Sequence, residues 1–368
     1  MQLFENEQGI SLTLRGEITA ITPISVTRPD DNFKSLTADD KKPRLPRMGA
    51  KRDEVSPFIP GSSFRSGLRH SAVQVIAKML DKKFTVDQIY MLVQGVDTTR
   101  LTASENVDGE IDKESDLRSV NPFLSLFGRW GLPSHVGVGD LIPVDKNCIF
   151  TAGAGVRTNE FIRNPTAVNL IDDEQLGYLK ELLKNETASA GEVREIDGTI
   201  RKLLKQLRDA ESKLEKDNIN AEITILEEKK KDVKANKVGS ENTIQRPLSG
   251  FEAVIPNTVM NQRIALQNVN KAELGLFLAS VAEFSRSPII GGHRNYACGA
   301  VSGEYAVNYW AFGEDRPKTV ATIRFDEEGF VIEGDAAEEL YAIRKQFLED
   351  VKQLKFDFTQ YLINLPEA

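Results

Sequence analysis

Phe58-Ile-Pro-Gly-Ser-Ser-Phe-Arg-Ser-Gly-Leu-Arg69 is the stretch from which the rest of the chain is read. Phe58 and Ile59 lead into Pro60-Gly61. After two serines, Phe64, Leu68, Ala72, Val75 and Met79 recur at helical spacing. The chain therefore turns through a glycine into a helix. Ser62 or Ser63 is placed to cap that helix, because a serine oxygen accepts from the open N–H groups of the first turn. Gly61, the positive end of the helix dipole, and Arg65 and Arg69 one turn apart also describe an anion site. No Gly-Lys-Ser/Thr follows, so this is not a Walker loop. Ordinary capping and anion binding both fit the stretch taken alone.

Upstream, Ile10 to Val26 reads as a long strand, with Ile10, Leu12 and Leu14 alternating and Ile18, Ile21, Ile24 and Val26 following more loosely. Arg28 to Pro57 is a polar loop containing Pro43-Arg-Leu-Pro-Arg-Met-Gly49. It is long for a connection without a pattern, which marks function or flexibility. Downstream, Asp81 to Arg118 is polar and mixed, a small subdomain on the helix. Asn121-Pro-Phe-Leu-Ser-Leu-Phe-Gly128 precedes Ser134-His-Val-Gly-Val-Gly-Asp-Leu-Ile-Pro143, a strand carrying Val136, Val138 and Leu141, with Asp140 before its end. Ala152 to Asn164 is a glycine-containing loop with Arg157 and Arg163.

Asp172 to Val238 has a different texture. Val193, Ile196, Ile200, Leu203, Leu207, Ala210 and Leu214 step by three and four residues, a heptad seam. Ser189 with Glu192 makes a capping box for it. The phase breaks at Lys216-Asp-Asn218 and restarts at Ile219, Ile223, Leu226 and Val233. The pattern predicts a helical hairpin with facing seams; a single solvated helix is the alternative.

Strand patterning returns over Phe251-Glu-Ala-Val-Ile-Pro-Asn-Thr-Val-Met-Asn-Gln-Arg-Ile-Ala-Leu266. A helix follows Asn270 as cap, with Glu273 at its third position and Leu274, Phe277, Leu278 and Val281 on its buried face. Ile289-Ile-Gly-Gly-His-Arg-Asn-Tyr-Ala-Cys-Gly-Ala-Val301 is a second glycine-rich loop leading into a strand from Gly299 to Phe312. Val320 to Phe325 is a further strand, and a helix from about Asp335 carries Leu340, Ile343, Phe347, Val351 and Leu354. The order without insertions is strand, helix, strand, strand, helix, strand. The expectation is an α+β chain with a ferredoxin-like, RNA-recognition-motif-like βαββαβ core, a long helical-hairpin insertion and a C-terminal helix. Residues 1–170 and 241–325 form the core, with a subdomain inserted at about 81–130. Residues 171–240 are the helical insertion, and 326–368 an acidic C-terminal helix. In this topology both glycine loops reach one groove.

Charge narrows the function classes. The net charge is -8, against a simple nucleic-acid binder. It is unevenly spread: residues 326–368 hold 11 acids and 4 bases, whereas 28–69 hold 10 bases and 6 acids. A basic groove on an acidic body remains open. No apolar run suits a membrane span, and the N-terminus lacks a secretory pattern. Cys148 and Cys298, and His70, His135 and His293, sit far apart, so neither a disulfide framework nor a metal-ligand spacing appears. No cofactor is implied. A reduced cytoplasm is the expected location.

Four segments carry a resemblance. Phe58 to Arg69, Asn121-Pro-Phe-Leu-Ser-Leu-Phe-Gly128 with Val138-Gly-Asp140, Phe251-Glu-Ala-Val-Ile-Pro256 to Leu274, and Gly291-Gly-His-Arg294 to Gly299-Ala-Val301 resemble, in order, the motifs of the RAMP superfamily of CRISPR effector proteins. Size and layout resemble the backbone subunit. The Pro43 to Gly49 lead-in and the lack of a zinc-binding cluster look most like the type IV subunit. The resemblance implies antiviral defence in a ribonucleoprotein complex. Its partners would be crRNA, target nucleic acid held by guide pairing, copies of the chain in a helical filament and other CRISPR effector subunits, with no membrane.

A subunit that coats a variable guide holds RNA by its phosphates, which position without specifying. The RNA-binding candidates are Arg44, Arg47, Lys51 and Arg52 of the basic loop, and Gly61, Ser62, Ser63, Arg65 and Arg69 of the opening stretch. Gly292, His293, Arg294 and Tyr296 belong to the second loop; Tyr296 either stacks on a base or ribose or is a core aromatic. In family members a thumb-like hairpin wedges into the guide. Here Thr151 to Pro165 and Glu241 to Leu248 correspond, with Arg157, Phe161, Arg163 and Arg246 as candidates. No catalytic residue is expected in the scaffold reading. The alternative is a type III-like, metal-dependent endonuclease acting on target RNA, with Asp31 or Asp30 of the basic loop as the carboxylate. A repeat-processing endonuclease is a third reading, without an evident His or Tyr base.

Overall fold

In the computed structural model, residues 3–4, 9–26, 44–49, 56–81, 83–96, 117–152, 155–156, 191–193, 195–207, 213–235, 247–248, 250–311 and 313–359 are described. Two compact units share the chain: Met1–Gly153 with Gly250–Ala368, and Ala154–Ser249.

The first unit is an α+β structure. In chain order it contains β1 (Ile10–Ala20), β2 (Arg47–Met48), β3 (Ser56–Pro57), α1 (Gly61–Leu80), α2 (Val86–Gln94) and α3 (Pro122–Phe127). β4 (Val136–Val138), β5 (Ile142–Pro143) and β6 (Ile149–Ala152) follow. The second unit adds β7 (Gly155–Val156), α4 (Lys213–Ala235) and β8 (Pro247–Leu248). The chain then returns with β9 (Phe251–Val254), β10 (Val259–Val269), α5 (Lys271–Phe284), β11 (Val301–Tyr309), β12 (Lys318–Asp326), β13 (Gly329–Glu333) and α6 (Ala337–Lys352).

The main sheet runs β13-β12-β11-β1-β10-β4, with β5 also on β10, and every pairing is antiparallel. β1 shows why. Ile10, Leu12, Leu14, Ile18 and Ala20 are buried on one face while Arg15 and Glu17 are exposed on the other. α1, α5 and α6 pack on one another, and Phe64 of α1, Phe284 of α5 and Phe325 of β12 meet at centroid separations of 5.3–6.2 Å. The expected succession β1, α1, β4, β10, α5, β11 is present, and its four strands lie side by side as β11-β1-β10-β4. The capping box of α5 is as read: Asn270 accepts from Glu273 N at 2.9 Å and Glu273 from Asn270 N at 2.8 Å.

Several boundaries differ. β1 ends at Ala20; after Pro23, Ile24 makes only an isolated bridge to Val254. The acidic 326–368 segment is not one helix. Asp326 Oδ1 accepts from Glu328 N and Gly329 N at 2.8 and 3.1 Å, and this turn folds β13 back onto β12. α6 then buries Leu340, Ile343, Phe347 and Val351 in the first unit's core, whereas Leu354 lies past its end, 73% exposed. Asn121-Pro-Phe-Leu-Ser-Leu-Phe-Gly128 forms α3, buried throughout, with Asn121 Oδ1 capping Leu124 N at 3.1 Å.

In the second unit a helix over 195–207 and α4 are linked by the Asp197–Lys230 ion pair, and Glu192 pairs with Lys229. Of the expected seam, Ile196 and Leu203 are buried and Ile219, Ile223 and Leu226 half-buried, while Ala210 lies outside the described residues. The expected phase break is not a break in the helix. Lys216-Asp-Asn218 lies inside α4, since polar residues on a solvated face do not interrupt a helix. Ser189, of the expected capping box, lies outside the described residues. No helix among the described residues is long and apolar enough to cross a membrane.

Candidate nucleic-acid interface

The helix start is built differently from its sequence signal. α1 begins at Gly61 with Pro60 as N-cap, and neither serine caps it. The N–H of Gly61 instead donates to Asp140 Oδ1 at 2.8 Å. An acid from the β4–β5 connection thus occupies the positive end of the helix, where an external anion was expected. Gly61 itself is set by close approach: a Cβ there would lie 2.4 Å from Val138 O and 2.5 Å from Gly139 O. Relieved of capping, Ser62 is exposed and Ser63 half-buried.

Arg65 and Arg69 both turn onto backbone carbonyls of the protein. Arg69 is 7% exposed. It donates to Met91 O at 3.0 Å, to Phe127 O at 3.3 Å and to Leu92 O, and its guanidinium lies 5.4 Å from the Phe123 ring centroid. Burial, and then the charge of Arg65, pull its pKa down to about 10, so it stays charged at neutral pH. Arg65 donates to Phe127 O as well, and burial lowers its pKa. Two cations thus share the open carbonyl at the end of α3. Arg69 is thus buried, with its donors on carbonyls of α2 and α3, and does not carry the exposure expected of an RNA contact.

The second loop carries the expected exposure. Ile290 N donates to Gly299 O and Gly292 N to Ser25 O, at 2.9 and 2.8 Å, tying both ends of the loop down. Gly291 is obligatory there, with φ +78° and room for no Cβ, 2.5 Å from Ser25 O. Beyond it, Arg294–Tyr296 form one 3-10 turn, flanked by His293 and Ala297 in left-handed backbone. Arg294 is exposed and makes no ion pair among the described residues. The His293 ring stacks on Phe251, 3.9 Å between centroids, and its buried Nδ1 has no hydrogen-bond partner among the described residues. Burial lowers the His293 pKa. Tyr296 is 52% exposed, so the core-aromatic alternative does not hold.

A groove of about 600 Å³ joins the two stretches. One wall is the polar stripe of α1, Ser62, Ser63, Ser66, His70, Ser71 and Gln74; the other contains Arg286, Ser287, Gly291, Gly292 and Arg294. Both glycine loops therefore reach one groove, as the element order led us to expect. Its exposed cations are Arg286 and Arg294. Arg286 pairs with Glu283 at 3.2 Å, a carboxylate that Lys78 also contacts. Hydroxyls and guanidinium groups facing an open channel suit an extended polyanion.

Among the remaining candidates, Arg44 is exposed. Arg47 is engaged elsewhere: it forks onto Glu252 at 2.9 and 3.1 Å, and the same carboxylate accepts from Leu45 N at 3.0 Å. That ion pair fixes β2 beside β9. Lys51, Arg52, Arg157, Phe161, Arg163, Arg246, Asp30 and Asp31 lie outside the described residues. No group of three or more His, Cys, Asp or Glu is placed to hold a metal among the described residues. Sequence reasoning singled out none of Ser66, Gln74, Arg286 and His70 for this groove. The signal for the first two was present, because Ser66, His70 and Gln74 recur every fourth residue opposite the apolar stripe. Arg286 had none.

No protein-family model and no curated protein matches the chain. Among solved structures it is similar to a chain of a Type IV-B CRISPR complex, with a TM-score of 0.38 and 14% identity over 84% of this chain and 96% of that one.

Proposed function

We propose that this chain is a crRNA-coating backbone subunit of a CRISPR effector, a binding and scaffold protein rather than an enzyme. Copies of it polymerise along the guide, hold its phosphates without regard to sequence, and present its bases to target nucleic acid. Other effector subunits complete the assembly. The observation that carries this reading is the shared groove, where a serine-rich helix face meets a glycine loop with Arg286 and Arg294. Such a channel offers donors and charge to a phosphate backbone. The four RAMP-like motifs support the same reading, because two of them, around Ser62 and around Gly291, form the two walls.

The test is binding of single-stranded RNAs of unrelated sequence across a salt series. The reading expects similar affinities for all, with log K falling on log salt by about 0.7 per phosphate neutralised. Binding indifferent to salt, or confined to one sequence, would overturn it. The endonuclease reading rests on Asp30 and Asp31, and no observation favours it.

A further inference from the structure

We propose that the Arg294–Tyr296 turn is a nucleobase platform: the open Tyr296 ring, braced by the stacked Phe251–His293 pair, takes one unstacked base of the bound RNA. The proposal rests on the RNA-coating reading above and assigns the bases, not only the phosphates, a contact on this chain.

The platform is rigid by construction. Phe251 is 8% exposed and held in β9, which pairs with β6. His293 lies on it nearly parallel, 17° between the planes. Tyr296 leans against both rings at 40°, its centroid 6.2 Å from Phe251 and 6.1 Å from His293. The backbone below is fixed too: Tyr296 N donates to His293 O and Ala297 N to Arg294 O, both at 2.9 Å. The flanking His293 and Ala297 sit at φ 58° and 55°, a left-handed conformation that residues with a Cβ adopt only when their surroundings impose it. Constraint of this kind is not needed to leave a tyrosine in water. It holds the ring at one angle.

Chemistry names the occupant. A lone exposed aromatic needs no explanation, but this one shares its turn with Arg294, which lines the phosphate groove. A phosphate at Arg294 brings its own nucleotide's base toward Tyr296. Every base has a π-face, so stacking there is strong and tolerant of sequence, as a variable guide requires. An aromatic side chain of a protein partner would lack the adjacent phosphate.

The experiment compares an ordinary single-stranded RNA with an oligonucleotide of the same length and backbone whose sugars are abasic. The full-length protein should bind the ordinary RNA about tenfold more tightly. Tyr296→Ala should lower that affinity to the abasic level while leaving abasic binding and the salt slope unchanged, and Tyr296→Trp should restore the preference. A 2-aminopurine in the RNA should be quenched by the wild type and not by Tyr296→Ala. Equal, salt-sensitive binding of both oligonucleotides by the wild type overturns the platform and leaves the RNA-coating reading standing. A preference for bases that survives Tyr296→Ala also overturns the platform. Binding of neither oligonucleotide overturns both.

Discussion

Two stretches of this chain advertise the same thing in sequence, a glycine turn with arginines beside it, and the fold uses them in opposite ways. At Gly61–Arg69 the helix end is occupied by Asp140, and both arginines turn onto carbonyls of α2 and α3. At Ser285–Ala297 the backbone is tied down by Ser25, and Arg294 is left exposed. An arginine serves a ligand only when its donors are not already spent on the protein. Carbonyls at helix C-termini, such as Leu92 and Phe127, are strong competitors because the helix ends before an intrahelical partner can claim them.

The sharpest break in this comparison comes from Arg69→Ala. It leaves Leu92 O without its buried donor, while Met91 O keeps Gly95 N and Phe127 O keeps Arg65, and it empties the space over the Phe123 ring; we expect a loss of about 3 kcal/mol in urea unfolding, with RNA affinity per folded molecule unchanged. A stable Arg69→Ala protein that fails to bind RNA would return Arg69 to the groove. Gly61→Ala comes next. Its Cβ meets two backbone oxygens that cannot move without shifting β4, so we expect about 2 kcal/mol of destabilisation. For the second stretch, the Arg286→Ala, Arg294→Ala double variant should keep its unfolding midpoint. It should weaken RNA binding about tenfold and make the salt slope shallower by about 1.4, two single-strand phosphate contacts. An unchanged slope would remove both from the interface.

Asp140→Ala separates fold from ligand more finely. It deprives Gly61 N of its acceptor at a cost of about 1 kcal/mol, and RNA affinity should hold. A rise in affinity would show that the helix end competes for phosphate after all. The smallest effect concerns His293. Burial holds its pKa below the ordinary 6.5, so the unfolded chain takes up the proton first. Stability is therefore full above about pH 6.5 and declines as the pH falls through the folded-state value. We expect His293→Phe, read by thermal melts between about pH 7 and pH 5, to lose less stability on acidification than the wild type.

The element order was legible in the chain because the signals are local. Period-two burial in β1, the Asn270–Glu273 box of α5 and the stripe of α6 each depend on neighbours in sequence. β13 was hidden because Glu327-Glu328 reads as the start of an acidic tail, and only pairing with β12 makes it a strand. The groove was half legible. The element order brought its two walls together, and the serine stripe of α1 was visible at helical spacing. Arg286 was not visible, because nothing in Ser285-Arg-Ser-Pro288 says which way a long side chain turns once α5 ends.

By itself, then, the sequence determined the order of the core strands and helices and which of their faces are apolar. Those properties follow from backbone geometry and side-chain period, which act over a few residues. Only the tertiary structure decided which cations face the groove. An arginine head lies several bonds from its Cα, and its direction is set by whichever acceptor the fold brings within reach. For Arg69 those acceptors lie 22, 23 and 58 residues away in the chain. Phe58–Arg69 thus remains one wall of the groove through Ser62, Ser63 and Ser66, while its arginines hold the wall in place.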